Sequence, residues 1–279
     1  MTNQLFINNE FIESQSKETM DVINPATGEA FDTITLATEE EVNDAIEKSQ
    51  QAQLEWERVP QPTRAEHVKL LIPLLEKNRD QIAQLYVKEQ GKTLAQAYGE
   101  IDKSISFIDY MTSLSMSDKG RVLQNSIANE TIQIINKPIG VTAGIVPWNA
   151  PILVLMRKVI PAIVTGCSVV IKPSEETTLL TLRLAELFRA STIPAGLIQI
   201  VPGTGETVGT QLASHKDIQL ISLTGSMRAG KSVYENAAQT VKKVNLELGG
   251  NAPVIVTSNA DLDKAVNYIV TARINNAGQ

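Results

Sequence analysis

The spacing of apolar positions changes its rhythm along the chain. Up to about residue 35, apolar and polar positions alternate, as in Leu5-Phe6-Ile7, Phe11-Ile12 and Val22-Ile23, around the turn formers Asn8-Asn9 and Pro25-Ala26-Thr27-Gly28. Short strands or hairpins are expected there. Thr38 and Glu41 then form a capping-box signature, after which Val42, Ala45, Ile46, Ala52 and Trp56 recur at helical spacing until Pro60. The same period predicts helices over Thr63–Lys77, Arg79–Gln90 and Leu94–Leu114, with Gly91 as a stop. Alternation returns in Thr131-Ile132-Gln133-Ile134-Ile135, so Arg121–Ile139 is expected to form a two-stranded hairpin.

From Gly140 onward, β-branched runs alternate with amphipathic segments of about a dozen residues, the pattern of βαβ units over a parallel sheet. The predicted strands are Val141–Val146, Ser168–Ile171, Leu197–Val201, Ile218–Leu223, Val241–Leu246 and Pro253–Val256. The predicted helices are Pro151–Thr165, Thr178–Ala190, Glu206–Ser214, Met227–Thr240 and Leu262–Asn275. The fold class is α/β, a doubly wound parallel sheet with an N-terminal helical layer.

Composition narrows the partners. The 279 residues carry 25 Lys+Arg against 31 Asp+Glu, a net charge of -6. That leaves no general basic field for a nucleic-acid backbone, so no nucleic-acid partner is expected. The length suggests about two domains. One cysteine, Cys167, excludes an intrachain disulfide, and Met1–Glu10 has neither the basic nor the apolar region of a secretion signal, so a cytoplasmic location is expected. Pro151–Ile171 is the most membrane-like stretch, but Arg157 and Lys158 sit in its middle, and no membrane partner is expected. His67, His215 and Cys167 are widely spaced, so no metal site is expected.

A doubly wound sheet binds ligands beyond the carboxyl ends of its strands. After the first strand, Pro147-Trp148-Asn149-Ala150-Pro151 presents an aromatic ring and a carboxamide that is either a donor to a developing oxyanion or a turn former. After the second, Lys172-Pro173-Ser174-Glu175 offers a carboxylate for ribose hydroxyls, or Ser174-Glu175 merely caps the next helix. After the third, Gly203-x-Gly205-x-x-x-Gly209 is one residue longer than the dinucleotide fingerprint. After the fourth, Gly225-Ser226-Met227-Arg228-Ala229-Gly230-Lys231-Ser232 satisfies the phosphate-loop pattern literally. A nucleoside triphosphatase would also need an acidic residue closing a later strand to hold magnesium, and the later strands end in Leu246-Glu247-Leu248 and Val256-Thr257. Both readings share one physical element, a glycine turn whose helix presents backbone N–H groups to phosphate. After the fifth strand, Glu247 is a general base or a partner for a nearby lysine. No tyrosine is followed four residues later by lysine, which excludes short-chain reductase chemistry.

Taken together, Asn24-Pro25-Ala26-Thr27-Gly28-Glu29, Glu89-Gln90-Gly91-Lys92, Pro147-Trp148-Asn149, Lys172-Pro173-Ser174-Glu175, Thr224-Gly225-Ser226, Glu247-Leu248-Gly249-Gly250 and Asn276-Ala277-Gly278-Gln279 resemble the aldehyde dehydrogenase superfamily over the whole chain. The resemblance implies a Rossmann-like cofactor domain, a catalytic domain and a bridging hairpin used in homo-oligomers. Residues 1–117 would then be the N-terminal part of the cofactor domain, 118–138 the hairpin, 139–248 the Rossmann-like core and 249–279 the start of the catalytic domain. It implies oxidation of a small aldehyde with NAD, or NADP, through a cysteine thioester. Asn149 would stabilise the oxyanion and Glu247 would activate the deacylating water. Lys172 and Glu175 would hold the adenosine ribose; Gly225, Ser226 and Gly230 would face the pyrophosphate; and Ile145, Trp148, Gly205 and Gly209 would belong to the cofactor cleft. NAD is expected over NADP because Glu175 repels a 2′-phosphate, whereas Lys172 would welcome it. The closing Asn-Asn-Ala-Gly-Gln run is similar to members acting on lactaldehyde. Met227 replaces a frequent threonine and Asn251 a frequent lysine. The family's nucleophile falls two residues beyond the Gly-Gln pair, at position 281, so the chain is expected to be truncated before it and inactive alone; the alternative is a non-catalytic NAD-binding remnant. Cys167, in a buried β-run with no basic neighbour to lower its thiol pKa, is expected to be structural.

Overall fold

The computed structural model describes residues 4–117, 120–125, 127 and 129–279. Its N-terminal part holds β1 (Leu5–Ile7), β2 (Glu10–Ile12), β3 (Thr19–Ile23) and β4 (Ala30–Thr35), then helices α1 (Glu39–Trp56), α2 (Gln61–Lys69), α3 (Leu71–Lys77), α4 (Arg79–Gln90) and α5 (Leu94–Ser115). Strands β5 (Arg121–Gln124) and β6 (Thr131–Ile134) pair antiparallel as an isolated ribbon. Residues 118, 119, 126 and 128 of the expected hairpin lie outside the described residues. The remainder alternates as β7 (Val141–Ile145), α6 (Pro151–Val164), β8 (Ser168–Lys172), α7 (Thr178–Ala190), β9 (Ile198–Ile200), α8 (Thr210–Ser214), β10 (Leu220–Gly225), α9 (Met227–Ala237), β11 (Lys243–Leu248) and α10 (Leu262–Gly278).

The main sheet has seven strands in the order β11-β10-β7-β8-β9-β1-β2. Strands β11 to β9 run parallel, and the chain moves outward from β7 first one way, through β8 and β9, then the other, through β10 and β11. The reversal falls between β7 and β10, and a crevice opens at such a switch point. The sheet is not wholly parallel: β1 adds antiparallel beside β9, through Phe6 opposite Ile200, and β2 forms the edge.

Both faces are covered, which explains why these strands read as nearly continuous apolar runs. Val169 and Ile171 face a core built with α2–α7, whereas Val170, Val141 and Ala143 face a second core with Val42, Ala45 and Ile46 of α1, Leu212 of α8 and Val233 of α9. Local signals act as the spacing suggests. Thr38 and Glu41 form the capping box of α1, and Gly91, at φ 84°, ends α4 in a left-handed turn.

Three expectations change. The helix expected over Thr63–Lys77 is two helices meeting at Leu70. The segment expected to start at Glu206 opens with one wide turn, Gly205–Gly209, before α8. Pro253–Val256 is not a strand: β11 is the sheet's edge, the segment pairs with nothing described, and Ile255 is exposed. A β-former becomes a strand only where a neighbour takes up its backbone groups.

Candidate functional site

The carboxyl ends of the parallel strands surround a cleft of about 1200 Å³. Of the residues singled out from the sequence, Ile145, Trp148, Asn149, Lys172, Glu175, Gly205, Gly209, Gly225, Ser226 and Glu247 all line it. They come from the ends of β7, β8, β10 and β11 and from the turn before α8, so one edge of the sheet gathers residues about a hundred positions apart in sequence.

On one wall, Lys172 ends β8 and is 2% exposed, its Nζ donating to the carbonyl of Pro173 at 2.7 Å and pairing with Glu175 at 3.2 Å. Burial lowers the Lys172 pKa, and Glu175 opposes the shift. Glu175 also accepts from the Gly205 amide at 2.8 Å, which ties the loop after β8 to the turn after β9. Ser174 Oγ accepts from the Glu176 amide, so Ser174 caps the short turn before α7 while Glu175 faces the cleft. Of the two sequence readings of this loop, the capping one is realised by Ser174, and the adjacent Glu175 lines the cleft.

The opposite wall is the N-terminus of α9. Ser226 caps it, accepting from the Ala229 amide at 3.1 Å, and the Gly230 amide donates to the Ser226 carbonyl at 2.9 Å. The first two helical amides, of Met227 and Arg228, precede the start of intrahelical bonding and point out of the helix end. Gly230 itself does not line the cleft: a Cβ there would lie 2.7 Å from Leu248 Cδ2, so this glycine lets α9 pack on the end of β11. The phosphate-loop match fails on the same geometry. Gly230 and Lys231 lie inside α9, and Lys231 is exposed and absent from the cleft lining.

Between the walls, Trp148 is 46% exposed and the Asn149 side chain donates to Gln279 Oε1 at 2.8 Å. Glu247 sits on β11 opposite Thr224 of β10. Sequence reasoning missed the cation serving this corner. Lys158 of α6 donates to Ser222 Oγ at 2.9 Å and Thr224 Oγ1 at 3.2 Å, and burial pushes its pKa down to about 8 against the pull of Glu247. A Cβ on Gly144 would meet Lys158 Cδ at 3.0 Å and Ile171 Cδ1 at 2.7 Å, so glycine in β7 is what lets the lysine stem pass. The signal available was the pair itself, a lysine in an apolar helix following a strand that contains glycine.

Cys167 lies at the opposite edge of the sheet, immediately before β8, whose last residue is Lys172. At about 3.3 Å per residue, a strand's length separates it from the cleft. It is buried, as expected, and the guanidinium of Arg64, which donates to Val164 O at 3.0 Å, lies against the preceding Gly166. Arg64 was invisible in the local sequence because α2 brings it from afar. Among the described residues, no helix is long and apolar enough to cross a membrane.

A seven-stranded sheet with a switch-point crevice, a carboxylate on one wall and a helix N-terminus on the other defines a Rossmann-like α/β protein. The model of the aldehyde dehydrogenase family matches residues 11–279, and the chain belongs to that family. It is 38% identical over 276 residues to glutarate-semialdehyde dehydrogenase of Pseudomonas putida, covering 99% of this chain and 58% of that protein. It is also 38% identical to succinate-semialdehyde dehydrogenase [NADP(+)] of Escherichia coli, covering 99% and 57%. The crystal structure of betaine aldehyde dehydrogenase from Staphylococcus aureus in complex with NAD+ superposes with a TM-score of 0.94 at 34% identity, covering 97% of this chain and 54% of that one. The chain thus spans little more than half the length of these relatives.

Proposed function

We propose that these residues form the cofactor-binding part of an NAD(P)-dependent aldehyde dehydrogenase, with NAD preferred. The observation that carries this reading is the pairing, across one cleft, of a tethered carboxylate and a capped helix N-terminus. The donor set fits a dinucleotide: Glu175 has acceptor capacity for ribose hydroxyls, the Met227 and Arg228 amides suit a pyrophosphate, and Ile145 and Trp148 supply apolar wall. One relative carries NADP(+) in its name and another was solved with NAD+; Glu175, held in place by Lys172 and Gly205, disfavours a 2′-phosphate and tips the choice to NAD.

A bound nicotinamide would supply the hydride acceptor. The chain's own groups then divide the remaining work. The Asn149 Nδ2 donates a hydrogen bond to the substrate oxygen as negative charge develops there. Glu247 takes a proton from the attacking water. Neither step needs Cys167, which is remote. The family's thiol nucleophile is not among these residues, so a polypeptide of these 279 residues would bind cofactor without oxidising aldehyde.

The division of the chain follows this reading: residues 1–117 and 139–248 serve the cofactor domain, 118–138 the hairpin through which complete members assemble as homo-oligomers, and 249–279 open the catalytic domain. The substrate is a small aldehyde and the location cytoplasmic. Titration with NADH tests the reading through Trp148, which lines the cleft. Saturable quenching of its emission, absent from a Trp148→Phe variant, is expected; unchanged emission up to millimolar NADH would contradict it.

A further inference from the structure

Two helices start directly behind the loops that form the cleft, and neither caps itself. Helix α6 follows Trp148-Asn149 and begins after Ala150, and α7 follows Lys172–Glu175 and begins after Thr177; neither residue makes a side-chain cap. Their first-turn amides are satisfied from the helical layer instead. The carboxylate of Glu89 accepts from Leu179 N and Leu180 N, both at 2.7 Å. One oxygen of Glu100 accepts from Ile152 N at 3.0 Å and Leu153 N at 3.2 Å. In both helices the amides served are the second and third of the helix, so the two carboxylates occupy equivalent places at two helix N-termini.

The other oxygen of Glu100 binds Lys92 Nζ at 3.0 Å and the Tyr86 hydroxyl at 2.5 Å, and Lys92 Nζ donates onward to the carbonyl of Asn149 at 2.7 Å. Glu89, Lys92 and Glu100 are 3%, 5% and 6% exposed, and none of them lines the cleft. Burial pushes the Glu89 carboxyl up to about 8 against the pull of the two amides, which are its compensation for leaving water. All three lie on a short stretch that runs from the last turn of α4 through Gly91 into α5.

We propose that Glu89, Lys92 and Glu100 are positioning residues that brace the two cleft loops from behind, Glu89 setting the ribose-side loop and Lys92 with Glu100 setting the Trp148-Asn149 loop. The inference rests on the cofactor-binding reading, and it divides the cofactor's affinity between two separate supports. A ligand with only the adenosine half should feel Glu89 and ignore Lys92.

The test is calorimetric titration of the 279-residue chain and its Glu89→Gln and Lys92→Met variants with AMP and with NAD, alongside the emission of Trp148. In Glu89→Gln the amide nitrogen has no acceptor to offer, so one backbone N–H loses its partner and AMP should weaken about tenfold, the scale of one buried N–H left unsatisfied. Lys92→Met should leave AMP affinity within about twofold of the parent while weakening NAD and shifting Trp148 emission. A merely structural role would lower the melting temperature and weaken both ligands alike in both variants, and that result overturns the proposal. Should either variant fail to fold, amide exchange in the parent decides: strong protection is expected at Leu179, Leu180, Ile152 and Leu153, and rapid exchange at these four would overturn it. If the parent binds neither AMP nor NAD, the cofactor reading itself fails, and the brace with it.

Discussion

The two ends of the cleft are built differently. At the ribose end, Lys172 is buried at the close of β8, Glu175 is tied both to it and to the Gly205 amide, and α7 behind them is capped by Glu89. At the reactive end, Trp148 is half exposed, the Asn149 side chain meets Gln279, and Glu247 stands exposed on the edge strand. The first end is held by contacts within the sheet and its loops, which preorganise it. The second presents its polar groups outward, as groups that meet a reacting molecule must. On the proposed reading, binding and chemistry are separable, and each can be perturbed without the other.

The largest expected effect is all-or-none and concerns the reactive end. A purified polypeptide of these 279 residues should generate no NADH from aldehydes, measured by NADH absorbance. Turnover that Asn149→Ala abolishes would mean that the reactive end is complete without a thiol in the cleft. Next in size is Gly144→Ala, which places a methyl against Lys158 and Ile171; overpacking there should cost about 1–3 kcal/mol in urea unfolding. An unchanged midpoint would show that Lys158 has room to move and that its placement is not enforced.

At the ribose end, Glu175→Ala should weaken NAD about tenfold, the scale of lost hydrogen bonds to a charged group, and weaken NADP less, because a repulsive charge leaves with it. Equal losses for both cofactors would remove Glu175 as the source of the preference. The smallest effect is on pH dependence. Burial depresses the Lys158 pKa from its ordinary 10.5 to about 8. Between those values the unfolded chain holds more protons than the folded one, so the penalty of the buried charge is present in full below about 8 and is relieved as pH rises toward 10.5. Lys158→Met should flatten that rise in stability, measured by denaturation from pH 7.5 to about 10.5. Lys242, also depressed to about 8 by burial, keeps part of the slope.

Most of the sheet and most of the cleft were legible in the residue pattern, for a physical reason. Strands such as Ser168–Lys172 are buried on both faces and so are apolar in their interior, and the carboxyl ends of the parallel strands change abruptly to Lys, Asn, Gly and Glu where they line the cleft. What escaped depends on partners distant in sequence. Leu5–Ile7 joins the main sheet through Ile200, Arg64 reaches the neighbourhood of Cys167 from α2, and Pro253–Val256 stays unpaired for want of a neighbour. Lys158 could be read only as an obstacle to a membrane helix until β10 supplied Ser222 and Thr224. Gly230 seemed to belong to a phosphate site, and its contact with Leu248 makes it a packing residue instead.

The central claim is that the switch-point cleft binds a nicotinamide dinucleotide between Glu175 and the start of α9. Calorimetric titration of the 279-residue chain with NAD, run beside one with magnesium and ATP, tests it most directly. Saturable one-site binding of NAD, weakened by Glu175→Ala, with no heat from ATP is the predicted result; magnesium-dependent ATP binding that requires Lys231, without NAD binding, would contradict it.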